Sequence, residues 1–243
     1  MGQLTGIFQF QGTVGQVTVD RNGRVRQKAA PRPVTSPRVL ENGAEFGAAA
    51  TAGKLLRDAF RSATNAVKST LTGEVTAKMR QIIGLDAVND RGIRQVLKAN
   101  IGQLLGFNFT ASSLASSFYA AYTASFGVGA NANKMTVDIP SITPTQDLAV
   151  PQGATHFQIV AASAAFDFAG NISTVAVPTV TAPVAISAAA LVNQDQVLTY
   201  AVAPAVGDTV ITVLGVNYFQ EVNGDLYPLN NGAYNALTIV AAE

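Results

Sequence analysis

Residues 209–228 read Thr-Val-Ile-Thr-Val-Leu-Gly-Val-Asn-Tyr-Phe-Gln-Glu-Val-Asn-Gly-Asp-Leu-Tyr-Pro. β-Branched and aromatic side chains dominate 209–220, the composition that suits a pleated, half-buried surface. Asn223-Gly224 then falls between Tyr218-Phe219-Gln220 and Leu226-Tyr227. A tight hairpin turn needs positive φ at both central residues, and Asn-Gly supplies it at least cost. The stretch predicts a β-hairpin and assigns the C-terminal part of the chain to β structure. Further strands are expected at 107–110, 118–125, 135–139, 156–162, 173–177, 197–202 and 236–240, separated by Gly, Pro and Asn turns. That pattern suggests an antiparallel sandwich, one or two Ig-like units with a sub-boundary near 145–152. No 20–50-residue period is present, which argues against a solenoid.

Upstream the period changes. Phe46, Leu55, Leu56, Ala59, Phe60, Ala63 and Val67 recur at three- and four-residue spacings and predict an amphipathic helix over 39–71. Between Gly47 and Gly53 it is almost free of large side chains, which would let another backbone approach. Each helical glycine costs about 1 kcal/mol relative to Ala, and close packing is the simplest reason to tolerate it. A second helix is expected over 73–83, with Val75, Met79, Ile82 and Ile83 on one side, and a short third over 90–97. Three of the ten prolines lie within 29–38, an extended linker, and the rest come at or after Pro140. Alternating Val14, Val17 and Val19, then the turn residues Asp20-Arg21-Asn22-Gly23, predict an N-terminal hairpin. The expected class is α+β: a basic hairpin arm and linker over 1–38, a helical section over 39–106, and an antiparallel β section over 107–243.

Charge is divided along the chain. Residues 1–100 hold fifteen Lys and Arg against seven Asp and Glu, whereas 101–243 hold one against eight. Opposed charge on two parts of one molecule favours head-to-tail association, because complementary patches steer encounter. Charged residues make up 13% of the chain, about half the usual share. The β section, with nine in 143 residues, is so poor in charge that burial against other subunits is expected.

Motifs for chemistry are lacking. There is no cysteine, which excludes disulfides, thiolate metal sites and Cys nucleophiles. The only histidine, His156, stands in an alternating strand without a motif partner and reads as structural. Gly53-Lys54 fails as a phosphate loop because Ala48 and Leu55 occupy the positions of the first glycine and the magnesium hydroxyl. Gly127-Val128-Gly129 lacks the third glycine of a dinucleotide site. Asp195, Asp208, Glu221 and Asp225 are scattered, and Asp20-x-Asn22 lacks the later acids of a calcium loop. No catalytic residue, metal or cofactor is expected. The N-terminus lacks a basic region followed by an apolar stretch, so no conventional signal peptide is expected. The uncharged stretch between Lys98 and Lys134 is too rich in Ser, Thr, Asn and Gln to read as a membrane span. A cytoplasmic location or release in an assembled particle is expected, with an extracellular filament by a non-classical route as the alternative.

The basic run Arg21, Arg24, Arg26, Lys28, Arg32 and Arg38 is the strongest binding feature. With no aromatic residue between Arg21 and Arg38 to stack bases, it argues for a protein partner over nucleic acid. With Gly47 and Gly53, these six residues form the expected subunit interface.

The strings 38–47 (RVLENGAEFG) and 52–57 (AGKLLR) resemble a family of uncharacterised proteins encoded widely in Bacteroidota. So do 136–140 (TVDIP), 153–157 (GATHF), 219–224 (FQEVNG) and the opening Gln11-Gly12-Thr13. The resemblance covers almost the whole chain and implies no activity, substrate or catalytic residue. Family members often carry a longer basic stretch where this chain has AAPRPVTSPR. The expected function is a non-enzymatic subunit that assembles with its own copies into a filament, tube or shell. A phage-like virion component and a carbohydrate- or protein-binding β module are the alternatives.

Overall fold

The computed structural model describes residues 2–3, 11–28, 36–63 and 67–243, and the chain divides into two units, Met1–Leu40 and Glu41–Glu243. In the first, β1 (Gly2–Gln3), β2 (Gly12–Val14), β3 (Val17–Val19) and β4 (Arg24–Gln27) form an antiparallel sheet in the order β1-β4-β3-β2. Gly15 closes the first tight turn at φ +58°. Asp20 builds the second: its carboxylate accepts the N–H of Asn22 at 2.8 Å and of Arg24 at 2.9 Å, and the Arg24 N–H leads the causes that hold its carboxyl below the ordinary range. The expected hairpin is thus two strands of a four-stranded sheet. The linker lies mostly outside the described residues, and its expected end, Pro37-Arg38, already opens α1 (Pro37–Ala59). Proline suits that first turn, where its missing N–H would have had no partner.

Within the second unit α1 buries a stripe of Glu45, Ala49, Ala52, Gly53, Leu56 and Ala59. The helix expected to run to residue 71 ends at Ala59, and α2 (Leu71–Gly84) begins separately after a 3-10 turn at Arg61–Ala63. The break falls at Phe60, whose buried ring meets Phe109 edge-on at 5.7 Å and Phe166 at 6.1 Å. The helix expected over 90–97 does not form. There the Asp86 carboxylate, 1% exposed, accepts the N–H groups of Val88, Asn89 and Gln95 and the Asn89 amide, all within 3.1 Å. Those bonds offer the backbone an alternative to helical pairing and win. Glu45, buried on α1, pins the same loop through the Gly92 N–H at 3.0 Å while it pairs with Arg80 at 2.6 Å.

Short elements follow: a 3-10 helix at Lys98–Leu104, α3 (Leu114–Ser117), β5 (Thr123–Phe126), β6 (Lys134–Asp138), β7 (Ser141–Ile142) and α4 (Pro144–Asp147). Then come the long strand β8 (His156–Asp167), the short β9 (Ile172–Val175), β10 (Thr179–Val180), β11 (Val184–Ala185), β12 (Leu191–Val192) and β13 (Gln196–Thr199). The chain closes with β14 (Thr209–Val222), β15 (Asp225–Pro228) and β16 (Ala236–Ala242). The hairpin read from 209–228 is β14–β15, with Asn223 at φ +57° and Gly224 at φ +90°. Two expected strands are corrected. Residues 107–110 run beside β16 through single bonds, such as Phe109 N–H to Leu237 O at 2.9 Å, and the strand placed at 118–125 starts only at Thr123.

β8 and β14 pair antiparallel over eleven registers and form the middle of a seven-stranded sheet, with β9, β10 and β11 along β8 and β15 and β16 along β14. Alternation sends Val160, Ala162, Ala164 and Phe166 of β8 to one face, where they pack with Leu56, Phe60, Met79 and Ile82 of the helical section. Phe157, Ile159, Ala161 and Ala165 point to the other face, toward Met135, Val137, Leu198 and Tyr200 of the three-stranded sheet β13-β6-β5 and its surroundings. The fold is mixed α+β: helices cover one face of the main sheet and a second sheet the other. The helical and β sections therefore share a core across the boundary expected at 106. No helix among the described residues is long and apolar enough to cross a membrane.

Candidate interaction surface

The six basic residues of the expected interface fall in three settings. Arg24 and Arg26 alternate onto one face of β4, with Val25 on the other, and both are exposed. Arg21 sits in the turn before them, and Lys28 follows the strand, its N–H bonded to Gln16 O at 2.7 Å. Arg26 reaches Asp20 at only 3.8 Å, an exposed pair of little energetic weight. The small sheet thus brings Arg21, Arg24, Arg26 and Lys28 close along the chain without neutralising them. Arg38 is exposed on α1, and Arg32 lies outside the described residues.

The two glycines separate. At Gly53 a Cβ would stand 3.0 Å from Val75 Cγ1, so the close approach expected there is made by α2 of the same chain. Gly53 is corrected from an interface residue to an internal packing residue. Gly47, exposed on the opposite side of α1, has nothing within 4 Å of where its Cβ would stand, and neither has Gly43 one turn earlier. Phe46, 59% exposed, flanks them.

His156 has partners that its sequence setting did not reveal. Its Nδ1 lies 3.0 Å from Thr155 Oγ1 and its Nε2 3.9 Å from Glu221 across the β8–β14 pair. The Thr155 hydroxyl oxygen also accepts the Glu221 N–H at 2.8 Å. The group ties the start of β8 to the root of the β14–β15 hairpin. Of the carboxylates read as scattered, Asp195 bonds the Ile139 N–H at 3.0 Å and meets Asp138 on the neighbouring strand, and Asp138 is raised above the usual carboxylate range chiefly by its hydrogen bond with Asp195. Both acids stand on the solvent side of β13-β6-β5, whose last strand, β5, has no further strand beside it among the described residues.

One feature escaped the sequence reading. Arg57, Arg61 and Lys68 come together where α1 ends and α2 begins, lining a cavity of about 340 Å³. The signal was one basic residue on the last turn of α1, another in the 3-10 turn that follows and a third just before α2, legible only once the helix break is placed. No protein-family model, curated protein or solved structure matches this chain.

Proposed function

We propose that the chain is a non-enzymatic structural subunit that assembles with copies of itself, its N-terminal unit docking on the β section of a neighbour. The observation that carries this reading is the charge division: fifteen of sixteen cationic side chains precede residue 99. In this reading the sandwich is the main sheet with β13-β6-β5, and the arm is the β1–β4 sheet. The landing site is the open edge of β5. Strand addition there would supply backbone hydrogen bonds, and Asp138 with Asp195, two carboxylates that repel each other, would be relieved by a neighbour's Arg24 or Arg26. A mixed-charge contact of this kind sets orientation and rate of encounter more than final affinity.

Negative-stain microscopy and light scattering of the purified chain test the proposal. Polymers or closed oligomers are expected, with loss of assembly on Arg24→Glu with Arg26→Glu and recovery when Asp138→Lys and Asp195→Lys are added. A clean 25.2 kDa monomer at every salt and concentration would sink the proposal. Assembly indifferent to both charge reversals would remove the arm from it.

A further inference from the structure

A second cavity, of about 260 Å³, lies between the middle of α1, the end of α2, the loop at 85–97 and the turn from β8 to β9. Ala52 and Ile83, both buried, close its bottom, and Val96 and Phe168, both half-buried, stand above them. Thr51, Gln95 and Asn171 line it from three different elements, and all three are exposed. Among the described residues none of those three side chains makes a hydrogen bond. No charged residue lines this cavity, in contrast to the one at Arg57.

The backbone that carries each polar group is set by the fold. Thr51 sits on α1 and keeps its hydroxyl free, whereas Thr76 on α2 commits its own to the Thr72 carbonyl at 2.8 Å. Gln95 is placed by Asp86, whose buried carboxylate accepts the Gln95 N–H at 2.9 Å. Asn171 ends the β8–β9 turn at φ +55°, and Asp167 braces that turn by accepting the Gly170 N–H at 2.9 Å. Phe168 lies flat on Phe166, with ring centroids 5.3 Å apart and 7° between the planes. Positions fixed before a ligand arrives reduce what binding has to order.

An apolar floor with a few convergent polar groups is the usual make-up of a small-molecule site. Side-chain amides and a hydroxyl each donate and accept, which suits a ligand rich in hydroxyls, since these do the same. A charged ligand would meet no counter-charge in the lining and would lose water without compensation. An all-carbon ligand would cover the amides without bonding them, which is costly as well. We propose that this cavity binds one neutral sugar ring, its hydroxyls bonded to Thr51, Gln95 and Asn171 and its C–H face laid against Phe168 and Val96. At about 260 Å³ the cavity falls below the roughly 300–1,000 Å³ of drug-sized pockets, so a single ring is the unit it encloses. None of these residues belongs to the arm or to β5, and the site stands or falls apart from the assembly.

The test is titration of the full chain with D-glucose, D-galactose, D-mannose and N-acetyl-D-glucosamine, each free and as its methyl glycoside, read by side-chain amide shifts of Gln95 and Asn171 and by ring shifts of Phe168. Glucuronate, cyclohexanol and a blocked dipeptide amide serve as charged, apolar and peptide-like controls. Saturable binding of at least one neutral sugar is expected, with a dissociation constant on the order of millimolar for so small a ligand. Added salt should leave it unchanged, because no charge takes part. It should weaken about threefold to tenfold in Gln95→Ala and in Asn171→Gly, each of which removes one neutral hydrogen bond. Both positions are exposed, the Gln95 N–H bond to Asp86 survives in the first variant, and glycine keeps the left-handed turn in the second. Binding kept by the methyl glycoside identifies the end of a glycan as the source, and binding lost in it identifies the free sugar. No saturable shift with any of the sugars, equal or tighter binding of any of the three controls, or full affinity in both variants would overturn the proposal.

Discussion

Gly47→Ala and Gly53→Ala are the same chemical change six residues apart on one helix, and the structure assigns them opposite signs. Each replacement gains about 1 kcal/mol of helix propensity. At Gly47 the new methyl meets nothing within 4 Å, so the gain should be kept, raising the melting temperature of the isolated subunit by about 2–4 °C for a chain of this size. At Gly53 the methyl would stand 3.0 Å from Val75 Cγ1, and Val75 is itself 1% exposed between α1 and α2. Forcing a methylene into such a site costs about 1–3 kcal/mol, so the net change runs from zero to about 2 kcal/mol of destabilisation. Thermal and urea unfolding under conditions that keep the protein monomeric would measure both. Stabilisation of Gly53→Ala equal to that of Gly47→Ala would refute the packing argument, and loss of stability in Gly47→Ala would refute the claim that its face is open. Sedimentation at assembling concentration adds a second reading: if a neighbour's backbone approaches Gly47, the stabilised variant should assemble less well.

Asp86 is held well below the ordinary carboxylate range, most strongly by the Asn89 side chain and then by the Gln95 N–H. Its folded-state value is depressed, so its contribution is complete above about pH 4 and fades as pH falls toward the folded value. Asp86→Asn should therefore lose less stability than wild type in acid titrations followed by circular dichroism. Tyr200, whose hydroxyl lies 2.6 Å from Ser163 Oγ, is pushed up to about 12 by burial. An unfolded tyrosine ionises near pH 10, so this group withdraws stability as pH rises from about 10 to 12, and Tyr200→Phe should flatten that alkaline decline. At neutral pH the same variant should cost about 1 kcal/mol, because Ser163 keeps Thr212 at 2.8 Å as a partner. His156→Ala should change stability by less than about 1 kcal/mol, since Glu221 is 48% exposed, and a loss of several kcal/mol would refute that weighting of an exposed pair.

The β section was legible because its signals are local. Asn223-Gly224 needs only its own φ angles to be recognised, and β14 is dense in β-branched residues; β8 was readable only over 156–162, and its continuation to Asp167 through Ala-Ala-Ser-Ala-Ala carries no strand signal of its own. The helix break at Phe60 was illegible because the three- and four-residue spacing continues through it, and only the position of Phe109 and Phe166 turns the chain there. The loop at 85–97 hid for a related reason. The nine-residue reach of Asp86 to the Gln95 N–H, which replaces the helix expected over 90–97, has no signature in the sequence. Of the interface residues, the run from Arg21 to Lys28 was readable as exposed charge, whereas Gly47 and Gly53 look alike until α2 is in place. The cavity at Arg57 depends on both helix ends and could not be seen earlier.

In the middle of β8, residues 161–165 are Ala-Ala-Ser-Ala-Ala, each at most 2% exposed and alternating between the two faces of the main sheet. The two cores are therefore separated by little more than one layer of backbone. A larger side chain at Ala164 would push that backbone toward the β13-β6-β5 side, and one at Ala165 would push it toward the helices. Neither core can be redesigned, or drift by mutation, on its own. For this lineage the freedom to change should lie in the loops and the N-terminal unit, and any enlargement on one side of β8 should be found only with a compensating reduction on the other.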